Sequence, residues 1–306
     1  MTALAAVIQV LGGLALAPLL PGSVQSLKAR LQGRRGPSPL QPYRELRRLW
    51  GKSGADPQPT TLVYRLAPCV LAAATALALL LVPIAGRAPD WSLGNDALVL
   101  VGLLALARFA LAASSWDTGS GFSLMASGRD LTFAVFGEAL LLLALLLAAL
   151  PAAGTDLVAM SAAAGGSAIW GEPAHWCAAV AFALVVLVET GRQPIDNPDT
   201  HLELTMIHEG PLLEYAGRDL ALLEWSAAAR HWIVLVLGAE LFAPHWGGFW
   251  AQLGWLAATL AVLCAALALT ETAQAKMRIL RAPGVLAGGC ALALVGLASW
   301  LVGGVV

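Results

Sequence analysis

Between Arg192 and Tyr215 the chain gathers five carboxylates (Asp196, Asp199, Glu203, Glu209, Glu214), two histidines (His201, His208) and an arginine. Carboxylates and imidazoles crowded together and partly withdrawn from water shift one another's pKa values towards neutrality, so such a group can exchange protons near pH 7. Two blander fates compete with that one. A charge run is commonly a solvated loop, but Leu202, Leu204, Met206, Ile207, Leu212 and Leu213 interleave with the acids here and argue for one packed side. Metal binding is the other; the histidines stand seven apart, no HExxH is present and no second ligand cluster occurs. Asn197 and Pro198 fit the cap and first residue of a short helix reaching about residue 208, with Asp199 and Glu203 on one face and His201 and His208 on another. Gly210 and Pro211 end it.

Further acids sit inside apolar runs, where an ionised side chain costs about 2.5–3.5 kcal/mol to insert and is by default a functional candidate. Glu138 lies deep in one run, Glu189 and Glu271 near the ends of two others on the side of the acidic stretch, and Glu240 near the opposite end of a fourth. Arg108 is the cation expected among them, either paired with an acid or reaching back to the headgroups. Glu189, Glu240 and Glu271 could equally be interfacial carboxylates. Together the pattern reads as a polar track open on one side of a membrane. The sequence SGRD at 127–130 reads separately as a capping box that opens a helix.

The elements that must hold these groups follow from composition. Of 306 residues 58% are hydrophobic and 12% charged, with a mean hydropathy of +0.75, which is the composition of a lipid-embedded chain. A net charge of -1 and the lack of a basic tract interleaved with aromatics speak against nucleic acid as a partner. The expected fold is an all-α integral membrane protein forming a single domain over 1–306. About eight transmembrane helices are expected, near 2–21, 62–84, 95–115, 130–150, 172–190, 228–244, 248–270 and 283–305, with amphipathic and short loop helices besides. The first run lacks the basic start of a secretory signal and reads as a retained span. Cys69, Cys177, Cys264 and Cys290 are scattered one per apolar segment and read as small apolar residues.

All of the eighteen Lys and Arg residues except Arg87 and Arg108 fall in or beside loops of one side, which the positive-inside bias makes cytoplasmic. Both termini are then expected outside the cytoplasm, in a multi-pass membrane protein. The two large cytoplasmic loops, 22–61 and 191–227, form the expected docking surface. The first begins with an amphipathic run in which Val24, Leu27 and Leu31 alternate with Lys28 and Arg30, as in a helix lying at the headgroups. Gly33, Gly36, Pro37 and Pro39 break it, and Pro42 can start a second helix carrying Arg44, Arg47 and Arg48. The opposite-side segment 151–171 is rich in small residues and reads as a connector without a site.

The string RRGPSPLQP at 34–42, followed by ETGRQPID, HLEL and LEYAG, resembles the subunit 1 family of respiratory complex I. It also resembles that family's relatives in membrane-bound group 4 nickel–iron hydrogenases, including the formate hydrogenlyase membrane subunit. Arg192, Pro194, Asp196, Asp199, Glu203, Leu204, Glu214, Tyr215 and Gly217 carry the most specific part. Two departures favour the hydrogenase branch: Leu40-Gln41-Pro42 follows Gly36-Pro37 without the family's glycine-containing insert, and His201 stands where the quinone enzymes carry a glutamate, with a longer spacer before Glu214.

The resemblance implies a membrane anchor with no redox cofactor of its own. Its peripheral partners, the hydrogenase large and small subunits and iron–sulfur subunits, would hold a [NiFe] centre and iron–sulfur clusters, and antiporter-like membrane subunits and lipid would surround it. Arg34, Arg35, Gln41, Arg44 and Arg192 would dock the module. Glu138, Glu189, Asp196, Asp199, His201, Glu203, His208, Glu209 and Glu214 would form a proton relay coupling redox chemistry to ion translocation. Two rivals remain: a quinone-site subunit of NADH dehydrogenase, and a stand-alone secondary transporter, for which no inverted repeat is found.

Overall fold

In lipid, a backbone must satisfy its own hydrogen bonds, and the apolar runs of this chain do so as helices. The computed structural model describes residues 12–55, 57–88, 94–196, 207–278 and 281–303. Ten α-helices are described in full: α1 (Leu19–Leu31), α2 (Gln41–Trp50), α3 (Leu62–Leu81), α4 (Ala97–Thr118), α5 (Gly121–Ala149), α6 (Leu157–Ala164), α7 (Pro173–Glu189), α8 (Gly217–Phe242), α9 (Phe249–Ala273) and α10 (Ala282–Gly303). A 3-10 turn at Gly210–Glu214 precedes α8. Among the described residues there is no strand, only isolated bridges such as Asp96 with Asp156. The protein is thus an all-α membrane protein.

Six helices, α3, α4, α5, α8, α9 and α10, are long and apolar enough to cross a bilayer, while α7 has 17 residues. Most of the first apolar run lies outside the described residues; residues 12–16 are helical. Helix α5 begins at Gly121 rather than 130 and α8 at Gly217 rather than 228, because each helix continues past its apolar run into polar sequence. The capping reading of 127–130 is therefore wrong. Ser127 and Asp130 sit inside α5, both buried, and Ser120 is the residue at its start.

Helix α8 is the most enclosed span and α9 and α10 the least, so α8 is the axis of the bundle. It packs on α3, α7 and α2; α10 lies against α7 and α5, and α9 against α1. The loops leading into α3, α5, α8 and α10 meet at one end, here the basic end. Asp117, closing α4, caps the start of α3 by accepting from Thr61 N (2.7 Å), Thr61 Oγ1 (2.8 Å) and Tyr64 N (3.1 Å).

A second tie at this end exploits a proline. Pro68 lies inside α3, and having no N–H it leaves the carbonyl four residues earlier, that of Tyr64, without its helical donor. The Tyr215 hydroxyl donates to that carbonyl at 3.0 Å. The two tyrosine rings stack at 4.4 Å, and Tyr64 returns its hydroxyl to the Glu214 carbonyl at 2.7 Å. Gly217, at φ +60, lets the chain turn into α8 where a Cβ would stand 2.5 Å from the Ser53 carbonyl oxygen. The end of the acidic segment is thus fixed on α3.

The amphipathic reading of α1 needs correcting as well. Lys28 is buried and its Nζ lies 3.0 Å from Glu271 Oε2 on α9, so the charge points into the bundle instead of at headgroups. Arg44, Arg47 and Arg48 on α2 do face outward. Tyr215→Phe should remove a hydrogen bond that a buried carbonyl cannot replace. A loss of about 1–3 kcal/mol is expected, read as a lower melting temperature of the detergent-solubilised protein with the helix content of the folded state unchanged.

Candidate functional site

A guanidinium buried in an apolar bundle keeps its charge, so it must be surrounded by carboxylates. Arg108, in the middle of α4, is 3% exposed. Its Nη2 donates to Glu189 Oε1 at the end of α7 (2.8 Å) and its Nη1 to Glu138 Oε1 of α5 (3.1 Å). Asp130, two turns before Glu138 on α5, holds Oδ2 3.8 Å from Nε, an ion pair without a hydrogen bond.

Asp130 also faces the acidic segment. Its Oδ1 is 3.7 Å from His208 Nε2, while His208 Nδ1 lies 3.0 Å and its backbone N 3.2 Å from Asp196 Oδ2. Lys276, from the loop after α9, reaches Asp196 Oδ1 at 3.3 Å, and Met277 N donates to the Pro194 carbonyl at 2.8 Å. Gly191, at φ +60, lets the His208 ring lie against the backbone; a Cβ there would be 3.1 Å from Nδ1. Charged groups therefore run without a gap from Lys276 through Asp196, His208 and Asp130 to Arg108, Glu189 and Glu138. Beside them is a cavity of about 170 Å³ bordered by Arg108, Asp130, Glu189, His208, Glu209 and Arg230. Glu189 Oε2 and Arg230 Nε are buried there without a hydrogen-bond partner among the described residues, and a cavity of this polarity and size suits bridging water.

Burial alone would depress the His208 imidazole, but the Asp196 hydrogen bond and the Asp130 and Asp196 charges outweigh it, with Arg108 opposing, and hold its pKa above the ordinary value. Burial raises the Tyr215 phenol well above its usual range. A second ion cluster adjoins the first: Arg192 Nη1 donates to Glu271 Oε1 at 2.8 Å, and Lys28 meets the other oxygen.

Of the expected relay residues, Glu138, Glu189, Asp196 and His208 are brought together, and Glu209 borders the cavity. Glu214 is half-buried and contributes its backbone carbonyl to Tyr64. Asp199, His201 and Glu203, with nearly all of the helix expected over 198–208, lie outside the described residues; at 207–209 the chain is a bend. Arg34, Arg35 and Arg44 are exposed and Gln41 is half-buried, donating to Glu45 at 2.9 Å. Arg192, expected at a docking surface, is instead 5% exposed and committed to Glu271. Glu271 is not interfacial, and Arg108 is joined by Lys28 and Arg192 as a buried cation.

Sequence reasoning missed Asp130, Lys28, Lys276 and Arg230. Asp130 was visible as an acid near the start of an apolar run, and a buried Arg108 with several acids in reach was the available signal. Among the described residues no three His, Cys, Asp or Glu side chains are grouped to hold a metal. At the far end Glu240 accepts from Ala85 N (2.8 Å), Gly86 N (3.0 Å) and Ser161 Oγ (2.7 Å), so it secures a turn, and the 151–171 connector supplies one of its partners.

The description of the matching family model is NADH dehydrogenase, and it covers residues 3–299. Formate hydrogenlyase subunit 4 of Escherichia coli (strain K12) is 32% identical over 321 aligned positions, 98% of this chain and 99% of that protein. Hydrogenase-4 component C of the same organism is 33% identical over 234 residues, 76% and 72% of the two chains. NADH-ubiquinone oxidoreductase chain 1 of Oncorhynchus mykiss is 29% identical over 219 residues, 69% and 66%. In three dimensions, a chain of the membrane-bound sulfane sulfur reductase, an archaeal respiratory membrane complex, superposes with a TM-score of 0.80 at 19% identity, covering 97% of this chain and 99% of that one, a likeness of fold.

Removing Arg108 strands carboxylates in an apolar bundle. Arg108→Met is expected to cost about 3–5 kcal/mol, seen as loss of folded protein on size-exclusion chromatography in detergent, with Arg108→Lys intermediate. Folding raises the His208 pKa, so its stabilising contribution is complete below about 6.5 and is lost as pH climbs through the raised folded value. Melting curves of wild type and His208→Gln should therefore diverge on acidification, wild type being the more stable, and converge at alkaline pH.

Proposed function

The chain belongs to the NADH dehydrogenase family and is a membrane subunit of a complex I-like complex, and we propose that it anchors and couples a group 4 [NiFe]-hydrogenase or formate hydrogenlyase module. The kinship to formate hydrogenlyase subunit 4 along nearly the whole of both chains supports that branch. The observation that carries the coupling is the unbroken line of charged groups from the acidic segment into the span of α5. Asp196 and His208 stand at the loop end, Asp130 and Arg108 in between, and Glu138 at the inner end, its side chain 30% exposed.

In this reading the basic end is cytoplasmic. The peripheral subunits, carrying the [NiFe] centre and iron–sulfur clusters, rest on loops 22–61 and 191–227, where the exposed Arg34, Arg35 and Arg44 meet acidic surface. Reduction of a cluster above the acidic segment adds negative charge, which raises proton affinity at Asp196 and His208 below it. Asp130, 3.7 Å from His208 and 3.8 Å from Arg108, is near enough to both for a small rotation to remake either contact. The altered charge reaches Glu138, and through it the antiporter-like subunits that move the ion. This chain moves and holds protons; it performs no redox step.

Glu138→Gln and Glu203→Gln should each lower coupled turnover of the assembled complex while the peripheral subunits stay bound. Wild-type turnover and pumping in both variants would sink the relay. Arg34→Ala with Arg35→Ala should act differently, releasing the peripheral subunits at raised salt in a pull-down, since exposed ion pairs are screened.

A further inference from the structure

Arg108 is surrounded by carboxylates, but a second guanidinium borders the same cavity with none in contact among the described residues. Arg230, near the middle of α8, makes neither an ion pair nor a side-chain hydrogen bond there, and its Nε is buried. The charges acting on it are those of Arg108, Glu189, Asp130 and Glu138, so it is set among the carboxylates of the first cluster without joining any of them. An arginine keeps its proton, and an unmatched charge in an apolar bundle is costly. Its charge must be met by water in the cavity or by a carboxylate that comes to it.

Glu189 is the carboxylate equipped to do so. Its Oε1 accepts from Arg108 Nη2 at 2.8 Å, while its Oε2 is buried without a partner among the described residues and the side chain borders the same cavity. No oxygen of Asp130 or Glu138 is left in that state. Arg108 and then Arg230 are the cations acting most strongly on Glu189. The backbone beside Glu189 is also where the acidic segment presses. Glu189 is the last residue of α7, Gly191 follows at φ +60, and the His208 ring lies against Gly191, where a Cβ would stand 3.1 Å from Nδ1. A shift of His208, as its contacts with Asp196 and Asp130 are made or lost, is thus delivered two residues from Glu189.

We propose that Arg230 is a positioning residue of the relay, the alternative partner of Glu189. The carboxylate passes from Arg108 to Arg230 when the acidic segment changes its protonation, leaving Glu138 and Asp130 to balance Arg108; this rests on the relay reading of function. In the assembled complex, Arg230→Gln should cut the ions moved per electron about fivefold or more while uncoupled redox turnover holds, and Arg230→Lys should keep most of the wild-type ratio. Because Arg230 has no partner to lose in the present arrangement, Arg230→Gln should melt with the wild type, unlike Arg108→Met. The reduced-minus-oxidised infrared difference spectrum should contain a carboxylate band that Glu189→Asp displaces. That band should persist in Glu138→Gln and Arg230→Lys and vanish in Arg230→Gln. Normal pumping by both Glu138→Gln and Arg230→Gln would overturn the relay and this proposal together. An impaired Glu138→Gln beside a normal Arg230→Gln would overturn the role of Arg230 alone. So would a Glu189 band that survives in Arg230→Gln, or a fall in melting temperature there as large as in Arg108→Met.

Discussion

Arg108 sets the terms on which the other charges exist. Its guanidinium cannot be neutralised by losing a proton, so α4 can enter the bundle only where carboxylates from α5 and α7 come to meet it. Glu189 and Glu138 in turn tolerate an apolar setting because of that cation. Buried ion clusters of this kind seldom stabilise more than well-packed hydrophobic residues of the same volume would. Their presence in a bundle otherwise built of Leu, Ala and Val is therefore a sign of function, and it fixes where α4, α5 and α7 approach one another.

The second cluster, Lys28 with Glu271 and Arg192, does for the surface helices what Arg108 does for the spans. It draws α1 and the start of the acidic segment onto α9. Lys276 then joins the loop after α9 to Asp196, so three loops distant in sequence share one charged floor. The acidic segment is held at both described edges, by Arg192 and Asp196 before it and by His208, the Gly210–Glu214 turn and Tyr215 after it.

Hydropathy revealed the helices and which loops share a side, because the requirement for apolar length is local. It misplaced the starts of α5 and α8, since a helix does not stop where its apolar run does. The site was half legible. Acids inside apolar runs and the acid-rich loop stood out by residue type, but which of them meet depends on helix packing that spacing does not encode. Asp130 illustrates this: three residues after a serine it has the form of a cap, and only the neighbouring α4 reveals it as a ligand of Arg108. Lys28 fails for the converse reason, as its partner lies 243 positions away on a helix whose orientation the sequence leaves open.

Pro68 shows how an irregularity can serve as a socket. The helix forfeits one of its own bonds, and the freed, buried oxygen becomes an acceptor that a side chain from another segment can reach. Tyr215 plugs into it, so the segment carrying the acids is indexed against α3 by a single rotational position. A more regular α3 would be a better helix and a poorer mount: at this point the molecule trades self-sufficiency of one rod for registration between two.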